Sequence, residues 1–219
     1  SVYGQCGSIK EAENVFLGFQ LKHDVISWTA MLSVYAKNGY GKNALHLYMH
    51  MQHEGVSPNE QTLVIALQAC GNLVEAQGIH QMILDLGQSL HAEVVKKGYS
   101  ANVLLCNTIM SFYGKCGSVI EAESMFNGLV QRTTMSWGVM FSAYLHRGLG
   151  HKALELYIMM QKKGVVPDHV ILLSVIRACG VIRNVERCRL HHMEIVVLGY
   201  EKLLCIMSTL IYVYGNCTH

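Results

Sequence analysis

The chain has 219 residues, 51% hydrophobic and only 15% charged, and its 17 Lys+Arg against 15 Asp+Glu leave a formal net charge of +2. That length can bury a sizeable core, and that balance excludes a basic tail or a strongly charged nucleic-acid domain. Arg177, Arg183, Glu186, Arg187 and Arg189 interrupt the most apolar region, so no membrane span is expected and the chain reads as soluble.

The chain opens in mid-pattern at Ser1-Val2-Tyr3-Gly4 without a charged-then-apolar signal segment, which places any targeting peptide upstream. Tyr3-Gly4-Gln5-Cys6-Gly7-Ser8, with Glu11-Ala12-Glu13 and Phe16, returns as Tyr113-Gly114-Lys115-Cys116-Gly117-Ser118 with Glu121-Ala122-Glu123 and Phe126. Its start returns again as Tyr214-Gly215-Asn216-Cys217. A second pattern, Trp28, Tyr35, Gly39, Ala44, Tyr48, Met51, Gly55 and Pro58, recurs as Trp137, Tyr144, Gly148, Ala153, Tyr157, Met160, Gly164 and Pro167, always 109 residues on. A third pairs Leu67-Gln68-Ala69-Cys70-Gly71 with Ile176-Arg177-Ala178-Cys179-Gly180, each running into a His-containing helix that closes at Gly98-Tyr99 or Gly199-Tyr200.

These patterns parse the chain into 1–24 (truncated at its start), 25–59, 60–102, 103–133, 134–168, 169–203 and 204–219 (truncated at its end), with 60–102 carrying an insertion. Within 25–59, Trp28, Met31, Leu32 and Tyr35 recur at helical spacing until Asn38-Gly39, and Ala44, Leu45, Leu47, Tyr48 and Met51 form a second stripe that Gly55 and Pro58 end. One such hairpin cannot bury both of its faces, whereas a stack can. The expected fold is therefore all-α, an α-solenoid or superhelix of stacked helix-turn-helix repeats forming one continuous 1–219 array, with functional residues recurring once per repeat.

Five of the eight cysteines, Cys6, Cys116, Cys217, Cys70 and Cys179, occupy equivalent places in successive repeats. That predicts small buried helix residues far apart along the stack and in a reducing compartment, and the lack of any Cys-x-x-Cys argues against structural zinc. His46, His50 and His53 have a spacing that can share one helix face, but the matching repeat holds Glu155, Met159 and Lys162, so a solvent-facing stripe is expected and no metal. His191-His192 reads as packing. Gly114-Lys115 lacks phosphate-loop spacing, and no His-x-Glu with a downstream Cys-x-x-Cys marks a zinc deaminase. Trp28, Trp137, Tyr48 and Tyr157 are expected in the core rather than stacked on a ligand. No cofactor and no catalytic residue is expected in this chain.

A Trp near the start of the first helix, Tyr seven later, Ala-Leu-x-Leu-Tyr-x-x-Met and Gly-Val-x-Pro-[Asn/Asp] resembles the pentatricopeptide repeat. The alternation of patterns is similar to the plant subclass with mixed P, L and S repeats: partial S, P, L, S, P, L and partial S in the order above. The resemblance implies sequence-selective binding of single-stranded RNA, one base per repeat, in a non-enzymatic module of an organellar RNA-processing or C-to-U RNA-editing factor. It places the protein in the mitochondrion or chloroplast, with an organellar transcript and editing or processing co-factors as partners. A tetratricopeptide-like protein-binding scaffold is the alternative from another class.

In the family the fifth and last residues of a repeat read the base. Carried over, the reading pairs are Thr29/Asn59, implying a purine and adenine above all, Asn107/Thr133, with Asn107 suited to a pyrimidine, and Gly138/Asp168, where Gly138 lacks a side-chain donor. Asp24 and Ser208 are left without their partners by the truncated repeats. The L repeats offer Val64/Asn102 and Leu173/Leu203, apolar at the fifth place and so expected to space the groove. Ile26, Leu104 and Met135 resemble the apolar wedge that packs on base faces, with helix-start packing as the other reading. Lys37 and Lys115, at the ends of first helices, are candidate phosphate contacts or solvated, dipole-favoured lysines. Replacing Thr29 and Asn59 by alanine is expected to relax one nucleotide preference and leave folding intact.

Overall fold

The structure is a computed structural model that describes residues 9–18, 24–77 and 80–217. The first Tyr-Gly-x-Cys copy with Cys6 lies outside the described residues, within 1–8. Among the described residues there are twelve α-helices, one 3-10 turn and no strand. In chain order they are α1 (Ile9–Gly18), α2 (Val25–Lys37), α3 (Gly41–His53), α4 (Glu60–Gln77), α5 (His80–Lys96), the turn Tyr99–Ala101, α6 (Val103–Cys116), α7 (Val119–Gly128), α8 (Thr134–His146), α9 (Gly150–Lys162), α10 (His169–Val181), α11 (Val185–Val197) and α12 (Leu204–Cys217). No described helix is long and apolar enough to cross a membrane.

The chain divides into two compact halves, 1–116 and 117–219. In the first, α2, α4 and α6 lie side by side, α1 packs on α2, α3 on α2 and α4, and α5 on α4 and α6. The second repeats the plan with α8, α10 and α12 adjacent, α7 on α8, α9 on α8 and α10, and α11 on α10 and α12. Each half is thus two layers of helices, alternate helices falling in alternate layers. The middle helices carry the densest apolar load: Leu63 and Leu67 of α4 and Leu172 and Val175 of α10 are fully buried. Each such side chain contributes about 1.5–3 kcal/mol relative to exposure. The insertion in 60–102 is spent on helix length, since α4 and α5 have 18 and 17 residues where α10 and α11 have 13 each.

The repeated letters serve the joints between these helices. Trp28 meets the edge of Phe16 at 5.2 Å and Trp137 that of Phe126 at 4.9 Å, both indoles being buried as core residues. The repeated tyrosines bury their rings and send their hydroxyls to a glutamate on another helix. Tyr35 donates to Glu13 at 2.7 Å, Tyr48 to Glu93 at 2.6 Å and Tyr157 to Glu194 at 2.6 Å, while Tyr144 bonds Glu123. Burial and the adjacent carboxylate push the Tyr35 phenol up to about 12 and those of Tyr48, Tyr144 and Tyr157 higher still, so all four stay protonated donors. His91 meets Tyr113 at 2.9 Å, and His192, 101 residues on, meets Tyr214 at 3.1 Å, so His192 joins α11 to α12. His46, His50 and His53 are exposed, with His50 edge-on to Trp28 at 5.3 Å.

The cysteines depart from expectation. Cys70, Cys106, Cys179 and Cys188 are buried and Cys116 and Cys217 half-buried, but they are not far apart along the stack. Cys70 neighbours Cys116 and Cys179 neighbours Cys217 because first helices of successive repeats lie side by side, and Cys188 of α11 also neighbours Cys179. Burial, with the neighbouring thiol adding to it, holds Cys70 and Cys179 near 12, unreactive as thiolates.

Two glycines set the close approach between repeats. Gly41 and Gly150, also 109 residues apart, open α3 and α9 and are buried against the next first helix. A Cβ on Gly150 would stand 2.8 Å from the Ala178 carbonyl oxygen and 2.7 Å from Ile182 Cγ2; one on Gly41 would stand 3.0 Å from Leu73 Cγ and 3.4 Å from the Ala69 carbonyl oxygen. Backbone cannot yield as a side-chain tip can. Gly150→Ala is therefore expected to destabilise the chain by about 1–3 kcal/mol, overriding the helix-propensity gain of about 1 kcal/mol from alanine. Thermal melts of Gly150→Ala and of Gly18→Ala, where a Cβ meets nothing within 4 Å, would show the Tm fall only in the first.

Candidate nucleic-acid interface

The last residue of five of the six expected repeats that end within the chain caps the helix that follows. An α-helix leaves its first N–H groups without internal partners, and a short side-chain oxygen just before it supplies one. Asp24 Oδ1 accepts the Ser27 N–H at 2.8 Å, Asn59 Oδ1 that of Thr62 at 2.9 Å and Asn102 Oδ1 that of Leu105 at 3.1 Å. Thr133 Oγ1 accepts from Ser136 at 3.3 Å in a reciprocal capping box, and Asp168 Oδ1 from Ile171 at 2.9 Å. Only Leu203 has no side-chain oxygen to give. The hydrogen bonds to Asp24, that of the Ser27 backbone foremost, hold its carboxyl below the usual value. Capping commits one oxygen and leaves the other branch of the side chain directed away from the helix: an acceptor in Asp, an N–H donor in Asn.

The fifth residues lie one turn into the same first helices. In the second half, Gly138, Leu173 and Ser208 of α8, α10 and α12 line a single groove of about 1160 Å³ together with Arg177, Arg183 and Tyr212. Ser208 is exposed and donates to the Cys205 carbonyl at 3.2 Å. A Cβ at Gly138 would meet only Ile171 Cδ1 at 3.8 Å, so packing does not demand glycine there. In the first half, Asn59, Gln61, Val64, Asn102 and Leu104 line a cavity of about 420 Å³. Asn102 Nδ2 is already engaged by Glu60 at 2.6 Å, which with the apolar Val64 leaves that position little polar capacity.

The other candidates separate. Thr29 is half-buried, its Oγ1 2.6 Å from the Val25 carbonyl oxygen and 2.8 Å from Thr62 Oγ1. Asn107 is buried at 4% exposure, and its Oδ1 has no hydrogen-bond partner among the described residues. Ile26, Leu104 and Met135 stand 71%, 50% and 60% exposed, so ordinary helix-start packing does not account for them. Lys37 is exposed at the end of α2. Lys115 lies along α4, donating to Asn72 at 3.2 Å with its stem over Gly71. Because Asn59 is a cap, removing its side chain does not leave folding untouched; it costs about 1 kcal/mol of stability.

Arg177 and Arg183 were not among the expected residues. Arg177 sits four after Leu173, hence on the same helix face, and that spacing was a usable signal. Arg183 takes φ of 52°, the left-handed stop that Gly148 supplies two helices earlier, and nothing in its sequence context marks that conformation. Asp168→Ala should lower stability by about 1 kcal/mol, and Asp168→Asn, which retains the capping oxygen, should not; chemical denaturation of the two variants measures the difference.

Comparison with known proteins places these features. A model of the PPR repeat family matches residues 23–72, and a PPR repeat model matches 105–132 and 135–165. A chloroplastic pentatricopeptide repeat-containing protein of Arabidopsis thaliana is 30% identical over 98% of this chain and 33% of its own length. A second chloroplastic protein of that kind is 29% identical over 98% and 39%, and a mitochondrial one 29% over 82% and 21%. The chain thus spans from about a fifth to two fifths of these relatives' lengths. Among solved structures, the pentatricopeptide repeat protein PPR10 in complex with an 18-nt psaJ RNA element aligns with a TM-score of 0.63 at 19% identity, over 97% of this chain and 36% of that one. Arabidopsis thaliana nuclear protein-only RNase P 2 aligns at 0.59 and 13% identity, over 78% and 38%. The fold is an all-α solenoid of helix-turn-helix repeats, and the chain belongs to the pentatricopeptide-repeat family.

Proposed function

We propose that this chain is a sequence-selective single-stranded RNA-binding module of an organellar RNA-processing or C-to-U editing factor, built of alternating P, L and S repeats. The observation that carries the reading is the meeting of fifth residues from three successive first helices, Gly138, Leu173 and Ser208, on one groove that also holds Arg177 and Arg183. Single-stranded RNA exposes base edges for short polar side chains and a phosphate backbone for cations. The chloroplastic and mitochondrial relatives and the RNA-bound PPR10 support the compartment and the ligand. The exposed Ile26, Leu104 and Met135 suit the faces of neighbouring bases. Asn107, expected to suit a pyrimidine, is buried and would have to turn out of the helix packing to meet a base. The equal His–Tyr joints at 91/113 and 192/214 support the alternation of L and S repeats.

Asn59→Asp is the sharpest test of the reading, because it keeps the cap while replacing outward donors by an acceptor. Selection of the full chain from a random single-stranded RNA pool is expected to enrich a short motif whose affinity falls as salt rises. Asn59→Asp should move one nucleotide of that motif from adenine towards guanine, and Thr29→Ala should weaken preference at the same nucleotide. No enrichment by this chain, and none by a longer chain carrying flanking repeats, would refute the RNA reading.

A further inference from the structure

A third side chain, Thr62, links Thr29 to Asn59; its role follows from hydrogen-bond chemistry and rests on the RNA reading above. Thr62 is fully buried. It donates its backbone N–H to Asn59 Oδ1 at 2.9 Å and its hydroxyl to the same oxygen at 2.8 Å, while its own Oγ1 receives the Asn59 N–H at 3.3 Å. A backbone N–H can only donate, so the amide atom it meets must be oxygen, and the orientation of the Asn59 side chain is fixed by chemistry. Oδ1 then holds two hydrogen bonds directed into the start of α4. Nδ2 has no hydrogen-bond partner among the described residues, and Asn59 lines the cavity shared with Gln61 and Leu104.

Thr62 Oγ1 also stands 2.8 Å from Thr29 Oγ1, whose other contact is the Val25 carbonyl oxygen at 2.6 Å. With the Thr62 proton on Asn59 Oδ1, the single Thr29 hydroxyl proton is shared between the Val25 carbonyl and Thr62 Oγ1, and the Thr29 oxygen is left as an acceptor. The Thr29/Asn59 pair therefore presents an acceptor beside a donor. The residues three after Asn102, Asp168 and Leu203 are Leu105, Ile171 and Ile206, which carry no hydroxyl, and Asn102 spends an amide proton on Glu60. Ser27 and Ser136 place a hydroxyl on Asp24 and Thr133, but the Thr62 hydroxyl also meets a fifth residue, Thr29.

We propose that Thr62 is a positioning residue for base choice: it locks the Asn59 amide with its donors towards the groove, so that this repeat selects adenine, whose ring N1 accepts, over guanine, whose N1–H donates. Losing the hydroxyl leaves Oδ1 on the Thr62 N–H alone and cuts the link to Thr29, so the amide keeps its sense but loses the fixed angle at which Nδ2 meets adenine N1.

The test uses the full chain and a random single-stranded RNA pool, read by sequencing, for wild type, Thr62→Val and Thr62→Ser, with thermal melts alongside. The adenine-to-guanine ratio at the nucleotide that Asn59→Asp shifts should fall about fivefold in Thr62→Val, the loss of roughly one hydrogen bond, and be retained in Thr62→Ser. If Thr62→Val fails to fold, Thr62→Ala removes the same hydroxyl and is judged by the same ratio. An unchanged ratio, or binding that weakens equally for both bases as the Tm drops, would overturn the positioning role. If Asn59→Asp shifts no nucleotide while the wild type still enriches a motif, RNA binding stands, and base reading by Asn59, with the role of Thr62, is overturned.

Discussion

The hydrogen bond from a helix's early N–H to the side-chain oxygen three residues before it is the constraint on which the proposed interface depends. It occurs at Asp24, Asn59, Asn102, Thr133 and Asp168. Each bond ends one helix pair and starts the next, and it holds the capping side chain in a single orientation. A side chain that must satisfy a helix with one atom can offer only its remaining atom to a ligand. The choice between Asp and Asn, nearly neutral for capping, then becomes a choice between offering an acceptor and offering a donor. Stability and recognition meet on the same residue without competing.

Within each half, the second layer of helices keeps those caps in register. Buried tyrosine hydroxyls reach glutamates on other helices, and glycines at the starts of α3 and α9 bring successive repeats within backbone contact. A hydrogen bond to a charged group contributes about 1.5–3 kcal/mol and is directional, so these joints fix the rotation of one repeat on the next within each half. Arg177 and Arg183 add positive charge to a groove that the overall net charge of +2 does not foretell. A balanced composition can still place its cations where a phosphate backbone would run.

Much of this was legible in the sequence because repetition averages out local ambiguity. Eight residues recurring at one offset identified the helix pairs, their stops and the buried Trp28 and Trp137; of the fifth and last places, Asn59, Val64, Asn102, Gly138, Leu173 and Ser208 line the two cavities and Thr29, Asn107, Asp24, Thr133 and Asp168 do not. What escaped depends on atoms rather than letters. Gly41 and Gly150 recur at the same offset, but only the carbonyls of Ala69 and Ala178 explain why they must be small. That Cys70 faces Cys116 requires knowing that first helices lie side by side. The depth of Asn107 and the left-handed backbone of Arg183 are set by tertiary packing, which no window of neighbours encodes. The place of the Thr62 hydroxyl between Thr29 and Asn59 is likewise set by the packing of α2 against α4.

The most direct measurement is a high-resolution structure of the full chain bound to the single-stranded RNA it selects. The account predicts a base edge within 2.7–3.2 Å of Asn59 Nδ2 while Oδ1 remains on the Thr62 N–H, and phosphates near Arg177 and Arg183. RNA bound away from this groove, or an Asn59 amide turned with Oδ1 towards the base, would contradict it.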